Sequence, residues 1–342
     1  MFNLPMLTTK SFAIDLGNNN TLLTNDERVL LAQPSYIAFD TMSHSVKAVG
    51  NAAYDMVEKH HVNLHPIKPL RGGVIADFES ASKMIQQMVA EIYPSRNWFT
   101  GFDKIVSGIP YSTTEVERRA LRDALDQFGA RRTYLLFEPL AAALGMGLNI
   151  REPEGKMIID IGGGITEIVV ISLSGIAVFK SVKIAGDTFD RDIQDYIRKA
   201  YNIVIGARTA EQIKVSIGAV CEDVDEILSP FRIKGKNVKD GIPVSQMISH
   251  AEIAQALSKS FESIERSIVQ VLETCPPELA ADIYLNGIFV TGGGALLHGI
   301  KKRLEKSLQL PVHIDHEPLL SVSKGVSMAL RDTKKFRSVL ME

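Results

Sequence analysis

Short apolar stretches broken by polar positions open the chain. Ser11 to Leu16, Thr21 to Thr24, Val29 to Gln33 and Tyr36 to Phe39 read as strands, with a turn at Asn25-Asp26. After Phe78 the period changes: Met84, Ile85, Met88, Val89 and Ile92 fall on one face of a helix that should pack on the sheet. Lys104 to Ile109 reads as a further strand. Ser112 to Glu115 has capping-box spacing ahead of a helix over Val116 to Phe128, and Gly129 stands where a left-handed residue ends a helix.

The order restarts at Lys156. A strand runs to Ile161, a glycine turn follows, then strands over Glu167 to Ser172 and Ile176 to Ile184 with a turn at Ser174-Gly175. Helices are expected over Asp187 to Ala200, Thr209 to Val220 and Ala251 to Glu273, the last ended by Pro276-Pro277. Ile227 to Val244 is strand-like, with Gly235 and Gly241 as turn formers, and reads as a small subdomain inserted in the second half. A short helix then leads to an apolar strand, Gly287 to Thr291. The repetition points to a duplicated α/β chain, and 342 residues suit two domains.

The two copies carry the same chemistry. Asp15-Leu16-Gly17 and Asp160-Ile161-Gly162 each place an aspartate at a strand end and a glycine turn after it, and Gly292-Gly293-Gly294 adds a third turn behind Thr291. Turns of this kind direct backbone N–H groups at an anion, and glycine lets the chain approach phosphate oxygens. Two carboxylates suit Mg²⁺, a hard cation shared between protein oxygens and phosphates. Neither a P-loop nor a dinucleotide fingerprint is present.

Composition narrows the partners. A net charge of −2 without a dense basic cluster argues against nucleic acid as a partner. Cys221 and Cys275 are far apart and read as reduced structural residues. No apolar run reaches the roughly eighteen residues a membrane span needs, and a first strand from Ser11 leaves little room for a signal peptide, so the protein is expected inside the cell. The histidine pairs His60-His61 and His313 with His316 lack the spacing of a zinc site.

Several segments together resemble the superfamily of actin, heat-shock ATPases and sugar kinases, and within it the bacterial actins of the MreB family. They are Asp15-Leu16-Gly17, Gly73-Val74-Ile75-Ala76-Asp77, Glu138-Pro139-Leu140-Ala141-Ala142-Ala143, Asp160 to Gly164, Arg208-Thr209-Ala210-Glu211 and Thr291 to Leu297. The resemblance implies an actin-like fold: two duplicated RNase H-like domains, each with a smaller inserted subdomain, and a nucleotide cleft between them. The first domain would cover 1–148 with an insertion over about 34–72, the second 149–317 with an insertion over about 186–250, and 318–342 would return to the first.

Carried onto this sequence, the resemblance implies ATP with Mg²⁺, held by Asn18, Asn19 and Asn20 on one side and by Gly162, Gly163 and Gly164 on the other. Asp15 and Asp160 would hold the hydrated metal, Asp160 also serving catalysis. Glu138 would position the attacking water. Glu211, Gln212, Ile213 and Lys214 would meet ribose and adenine, and Gly292, Gly293, Gly294 and Ala295 would complete the site. Asn18 and Asn19 replace the family's usual threonine and alanine, Ile165 a threonine and Ala207 a glutamate, so slow hydrolysis is expected.

The family further implies a cell-shape filament that organises cell-wall synthesis on the inner face of the cytoplasmic membrane. Protofilaments would be head-to-tail and paired antiparallel, with membrane proteins of cell elongation as partners. Trp98, Phe99 and Phe102, between Arg96 and Lys104, suit a lipid headgroup boundary, and Met1 to Leu7 is a second apolar segment. A small-molecule kinase of the same superfamily is the alternative, although no acceptor pocket is legible; a chaperone ATPase would need a further peptide-binding domain.

Overall fold

Strand β1 (Phe12–Leu16) buries Phe12, Ala13, Ile14 and Leu16, as a strand covered on both faces must. In the computed structural model, which describes residues 10–26, 28–59, 63–94 and 101–342, it is the centre of the first of two compact units. That unit takes in residues 10–56, 63–147 and 322–342; residues 57–59 and 148–321 form the other.

In chain order the first unit continues with β2 (Asn20–Thr24), β3 (Val29–Pro34), β4 (Ile37–Asp40), β5 (Val46–Val49), α1 (Gly50–Tyr54), β6 (Leu64–Ile67), β7 (Leu70–Arg71) and β8 (Val74–Ile75). Then come α2 (Phe78–Ile92), β9 (Lys104–Ile109), α3 (Glu115–Asp126), β10 (Arg132–Phe137) and α4 (Glu138–Gly145). The main sheet has β1 antiparallel to β2, β2 antiparallel to β3, and β9 and β10 running parallel to β1 on its other side. The strand Leu340–Met341 closes the far edge against β10. A smaller sheet, β5-β4-β6, is inserted between β3 and α2.

Helix α2 turns Ala81, Met84, Ile85, Met88 and Val89 inward, the face its period predicts. Helix α3 starts one residue before the expected Val116, and a different pair caps it. Its capping box is Thr114 with Glu117, not Ser112 with Glu115, because Glu117 accepts from the Thr114 N–H at 2.7 Å. Gly129 does take φ +63° just beyond it.

A second correction concerns Phe102, expected at a lipid boundary. It is buried among Phe12, Tyr93 and Phe128, with its ring 4.7 Å from that of Phe12, and so belongs to the core. Trp98 and Phe99, and Met1 to Leu7, lie outside the described residues.

The second unit repeats the scheme. Strands β11 (Lys156–Ile161), β12 (Thr166–Ser172) and β13 (Gly175–Val182) form an antiparallel meander, followed by α5 (Gly186–Tyr201), β14 (Ile203–Val204), α6 (Ala207–Ile217), β15 (Phe231–Asn237), β16 (Pro243–Ile248) and α7 (His250–Thr274). Then α8 (Pro277–Asn286), β17 (Ile288–Thr291), a 3₁₀ turn over Gly293–Leu296, α9 (Ile300–Leu308) and β18 (Val312–Ile314) complete it. β17 runs parallel to β11 and β18 parallel to β17, so β11, β17 and β18 correspond to β1, β9 and β10.

Two turns differ from expectation. The β12–β13 hairpin turns on Leu173 and Ser174, both at positive φ, one residue before the anticipated pair; their N–H groups donate to Glu152 and Ile150, which fixes them there. The inserted strands begin at Phe231 rather than Ile227, which is fully exposed. Helix α7 is started by a capping box of Ser249 and Glu252 and buries Ile253, Leu257, Phe261, Ile264, Ile268 and Val271. Its buried aliphatics each contribute about 2 kcal/mol by the area they remove from water. Helix α10 (Ser321–Arg331) follows, and Gly325 lies so close to α4 that an added Cβ would stand 1.8 Å from the Ala141 carbonyl. Among the described residues no helix is long and apolar enough to cross a membrane.

Candidate functional site

In the first unit β1 delivers Asp15 to the edge of a turn that its own neighbours hold in shape. A Cβ on Gly17 would stand 2.7 Å from the Asn20 carbonyl, so glycine is what lets the turn close. Ser35, between β3 and β4, fixes it from below: its N–H donates to the Asn19 carbonyl at 2.8 Å and its hydroxyl to the Gly17 carbonyl at 2.6 Å. Thr21 shares a buried hydrogen bond with the same hydroxyl at 2.9 Å. Lys68 donates to the Asn19 side-chain oxygen at 2.6 Å. Burial pushes the Asp15 carboxyl up to about 7, a group in want of positive charge.

Glu138 is the first residue of α4, where a carboxylate is favoured by the helix N-terminus. Gly108 of β9 lies beside it; a Cβ there would stand 3.4 Å from the Glu138 Cγ, in ordinary contact. Glu138, Gly108, Thr113 and Leu16 line one cavity of about 10 Å³, close to what a single water needs. The structure thus brings Glu138 to the residue that follows Asp15.

In the second unit the Gly162 N–H donates to the Ile165 carbonyl at 3.0 Å, closing the turn over Gly163 and Gly164. The start of α5 is pinned to this turn: Gly186 N–H donates to the Gly162 carbonyl at 3.1 Å and Asp187 N–H to the Gly163 carbonyl at 2.7 Å. Gly292 has φ +80°, and a Cβ on it would stand 2.3 Å from an Asp160 carboxylate oxygen, so the third glycine turn wraps the aspartate of the second. Ala295 is buried beside it and offers only backbone.

The helix α6 residues separate. Glu211 is half-buried and Gln212 exposed. Ile213 is fully buried in the core, which removes its side chain from the expected ribose and adenine contacts. Lys214 reaches α5 instead of standing free: its ammonium lies 2.8 Å from one Asp190 oxygen and donates to the Gly186 carbonyl at 3.1 Å. Asp190 is pushed up to about 6 by desolvation, against which Lys214 acts, while Glu211 and Asp187 add to the rise. Ser35, Lys68 and Asp190 were not singled out in the sequence, because each acts through a partner many residues away.

Residues 9–338 match the family model described as MreB/Mbl protein. The chain belongs to the MreB/Mbl family. It is 38% identical to the cell shape-determining protein MreB of Escherichia coli K12 over 329 residues, 94% of this chain and 93% of that one. To the cell shape-determining protein Mbl of Bacillus subtilis it is 37% identical over 327 residues, 95% and 97% of the two chains. The crystal structure of MreB 5 of Spiroplasma citri bound to AMPPNP superposes with a TM-score of 0.91 at 38% identity, covering 97% of this chain and 98% of that one. The same protein has also been solved bound to ADP, with a TM-score of 0.90. The MreB/Mbl chain described above has the actin-like fold that its sequence motifs anticipate.

Proposed function

We propose that this MreB/Mbl chain binds ATP with Mg²⁺ through its three glycine turns, hydrolyses it slowly, and polymerises head-to-tail into filaments that act in cell shape. The observation that carries the reading is the repeated device of an aspartate at a strand end with a glycine turn after it. The third turn supports it, because Gly292 keeps its backbone against Asp160. Support also comes from the nucleotides bound to the Spiroplasma citri relative.

Asp15 and Asp160 are hard oxygen donors that fit Mg²⁺, and the raised pKa of Asp15 is that of an acid which a nearby cation would bring back into its charged form. When bound, the ion would neutralise phosphate charge. This chain's own share is then to present the N–H groups of both turns to the phosphates and to hold a water by Glu138 at the head of α4. Glu211 is left to meet the sugar, with Lys214 holding its helix to α5.

Filaments would lie on the inner face of the cytoplasmic membrane, paired antiparallel, with cell-elongation membrane proteins as partners. Trp98 and Phe99 supply the anchor in this reading, since aromatic rings beside Arg96 suit the headgroup layer. Phe102 is not part of it.

Titration calorimetry with Mg-ATP tests the nucleotide, and electron microscopy with ATP on and off a lipid layer tests assembly and anchoring. No heat of binding from folded protein would end the reading. Replacing Trp98 and Phe99 by serine should abolish sedimentation with liposomes; unchanged sedimentation would remove the anchor. Phosphate release that is the same in E138Q as in the unaltered protein would take Glu138 out of the reaction.

A further inference from the structure

We propose that Lys68 binds the polyphosphate of the nucleotide and, through Asn19, makes this chain prefer a triphosphate to a diphosphate. The inference rests on the nucleotide reading above and adds to it a residue, a charge and a selectivity.

The inserted sheet places it there. β4 and β6 pair antiparallel with Ile37 opposite Ile67, so Ser35 before β4 and Lys68 after β6 leave the sheet at the same end. Both close on one turn. Ser35 takes its main chain, through the Gly17 and Asn19 carbonyls at 2.6 and 2.8 Å, and Lys68 takes its side chain, through the Asn19 oxygen at 2.6 Å.

Two features make the placement of the ammonium specific. Its bond to Asn19 is short for an N–H···O contact, as expected when the donor is charged. It also lies 5.4 Å from the centre of the Tyr36 ring, near enough for the ring face to attract it, and Tyr36 is the residue next to Ser35. The lysine is partly buried, so its charge is less screened than that of a surface lysine.

A turn shaped to receive phosphate therefore carries a cation on its own side chain. A lysine ammonium has three donors on a flexible stem, so engagement with Asn19 and with a phosphate oxygen is compatible. Backbone N–H groups bind any phosphate; a full positive charge gains most from the ligand with the larger negative charge. That asymmetry is what favours ATP over ADP. Because Lys68 is the residue after β6, the same contact fixes the small sheet against the bound ligand.

The test is titration calorimetry of the full chain with Mg-ATP and, separately, Mg-ADP, on the unaltered protein and on K68M, K68R and N19A. K68M is expected to weaken ATP about tenfold and ADP about twofold, with K68R close to the unaltered protein. N19A, which keeps the charge but loses its tether, should fall between them. An ATP-to-ADP ratio in K68M and N19A equal to that of the unaltered protein would overturn the inference while leaving nucleotide binding intact. If K68M does not fold by circular dichroism, the N19A ratio decides alone. Absence of binding by the unaltered protein would instead defeat the nucleotide reading itself.

Discussion

Lys214 and Asp190 meet across α6 and α5 as a doubly contacted ion pair, the ammonium lying 2.8 and 2.9 Å from the two carboxylate oxygens. Only 13% and 14% of the two side chains is exposed, so solvent screens the pair little. Removing one partner would leave the other charge buried. K214M is expected to destabilise the protein by about 3 kcal/mol at pH 8. Urea unfolding followed by circular dichroism would show it, and a loss below about 1 kcal/mol would mean that the pair adds little to the fold.

Asp190 also sets a pH dependence. Its carboxyl is raised from 3.8 to about 6, so between these values the folded chain holds a proton that the unfolded chain has released. The contribution of this group therefore favours folding at pH 4 and is lost as pH rises through about 6. Facing it are Lys214, Glu211 and Asp187, and the attraction of Lys214 limits the rise. D190N should flatten the fall in stability between pH 4 and 6. Parallel stability profiles for D190N and the unaltered protein would refute this.

Gly292 admits no substitution. Alanine would place its Cβ 2.3 Å from the Asp160 carboxylate, at a φ of +80° that side chains avoid. G292A is expected to lose about 1–2 kcal/mol of stability from the backbone alone. It should also weaken ATP by more than tenfold, because Asp160 must move; unchanged affinity by calorimetry would separate the third turn from the nucleotide.

The β12–β13 hairpin offers a gain. Leu173 and Ser174 take φ of 51° and 64°, where asparagine and glycine are at home, and Leu173 is 67% exposed. The double substitution L173N with S174G should stabilise by about 1 kcal/mol. Thermal melts would register a small rise in Tm, and a fall would mean that Leu173 packs in a way its exposure does not suggest.

Phe102 and Trp98 should part company under mutation. F102S removes a ring packed on Phe12, Tyr93 and Phe128 and should cost about 3–4 kcal/mol. W98S with F99S is expected to leave the melting temperature nearly unchanged. A melt of F102S equal to that of the unaltered protein would show that its burial counts for little.

What could be read from sequence was chemistry contained in a few consecutive residues. Asp15 with Gly17, and Asp160 with Gly162, declare a strand end and a turn because both requirements are local. Lys68 and Asn19 stand 49 positions apart, and Lys214 and Asp190 24 apart, so only the fold shows that they meet. The α3 cap was ambiguous for a different reason. Ser112 and Thr114 each have an acid three residues on, and the choice between them falls to the backbone at Thr114. Phe102 was misleading because it follows Trp98 and Phe99 closely, while its strand-side position sends it inward.

The first unit is sewn shut by the tail of the chain. Leu340–Met341 lies against β10, Ser327 donates to the Asn25 carbonyl and Arg331 to that of Asp26. On the ribosome, the half made first must wait with an open edge until residues 322–342 emerge, whereas the stretch 148–321 is already whole. Synthesis thus inverts the usual order, and the later half is ready to fold before the earlier one can finish.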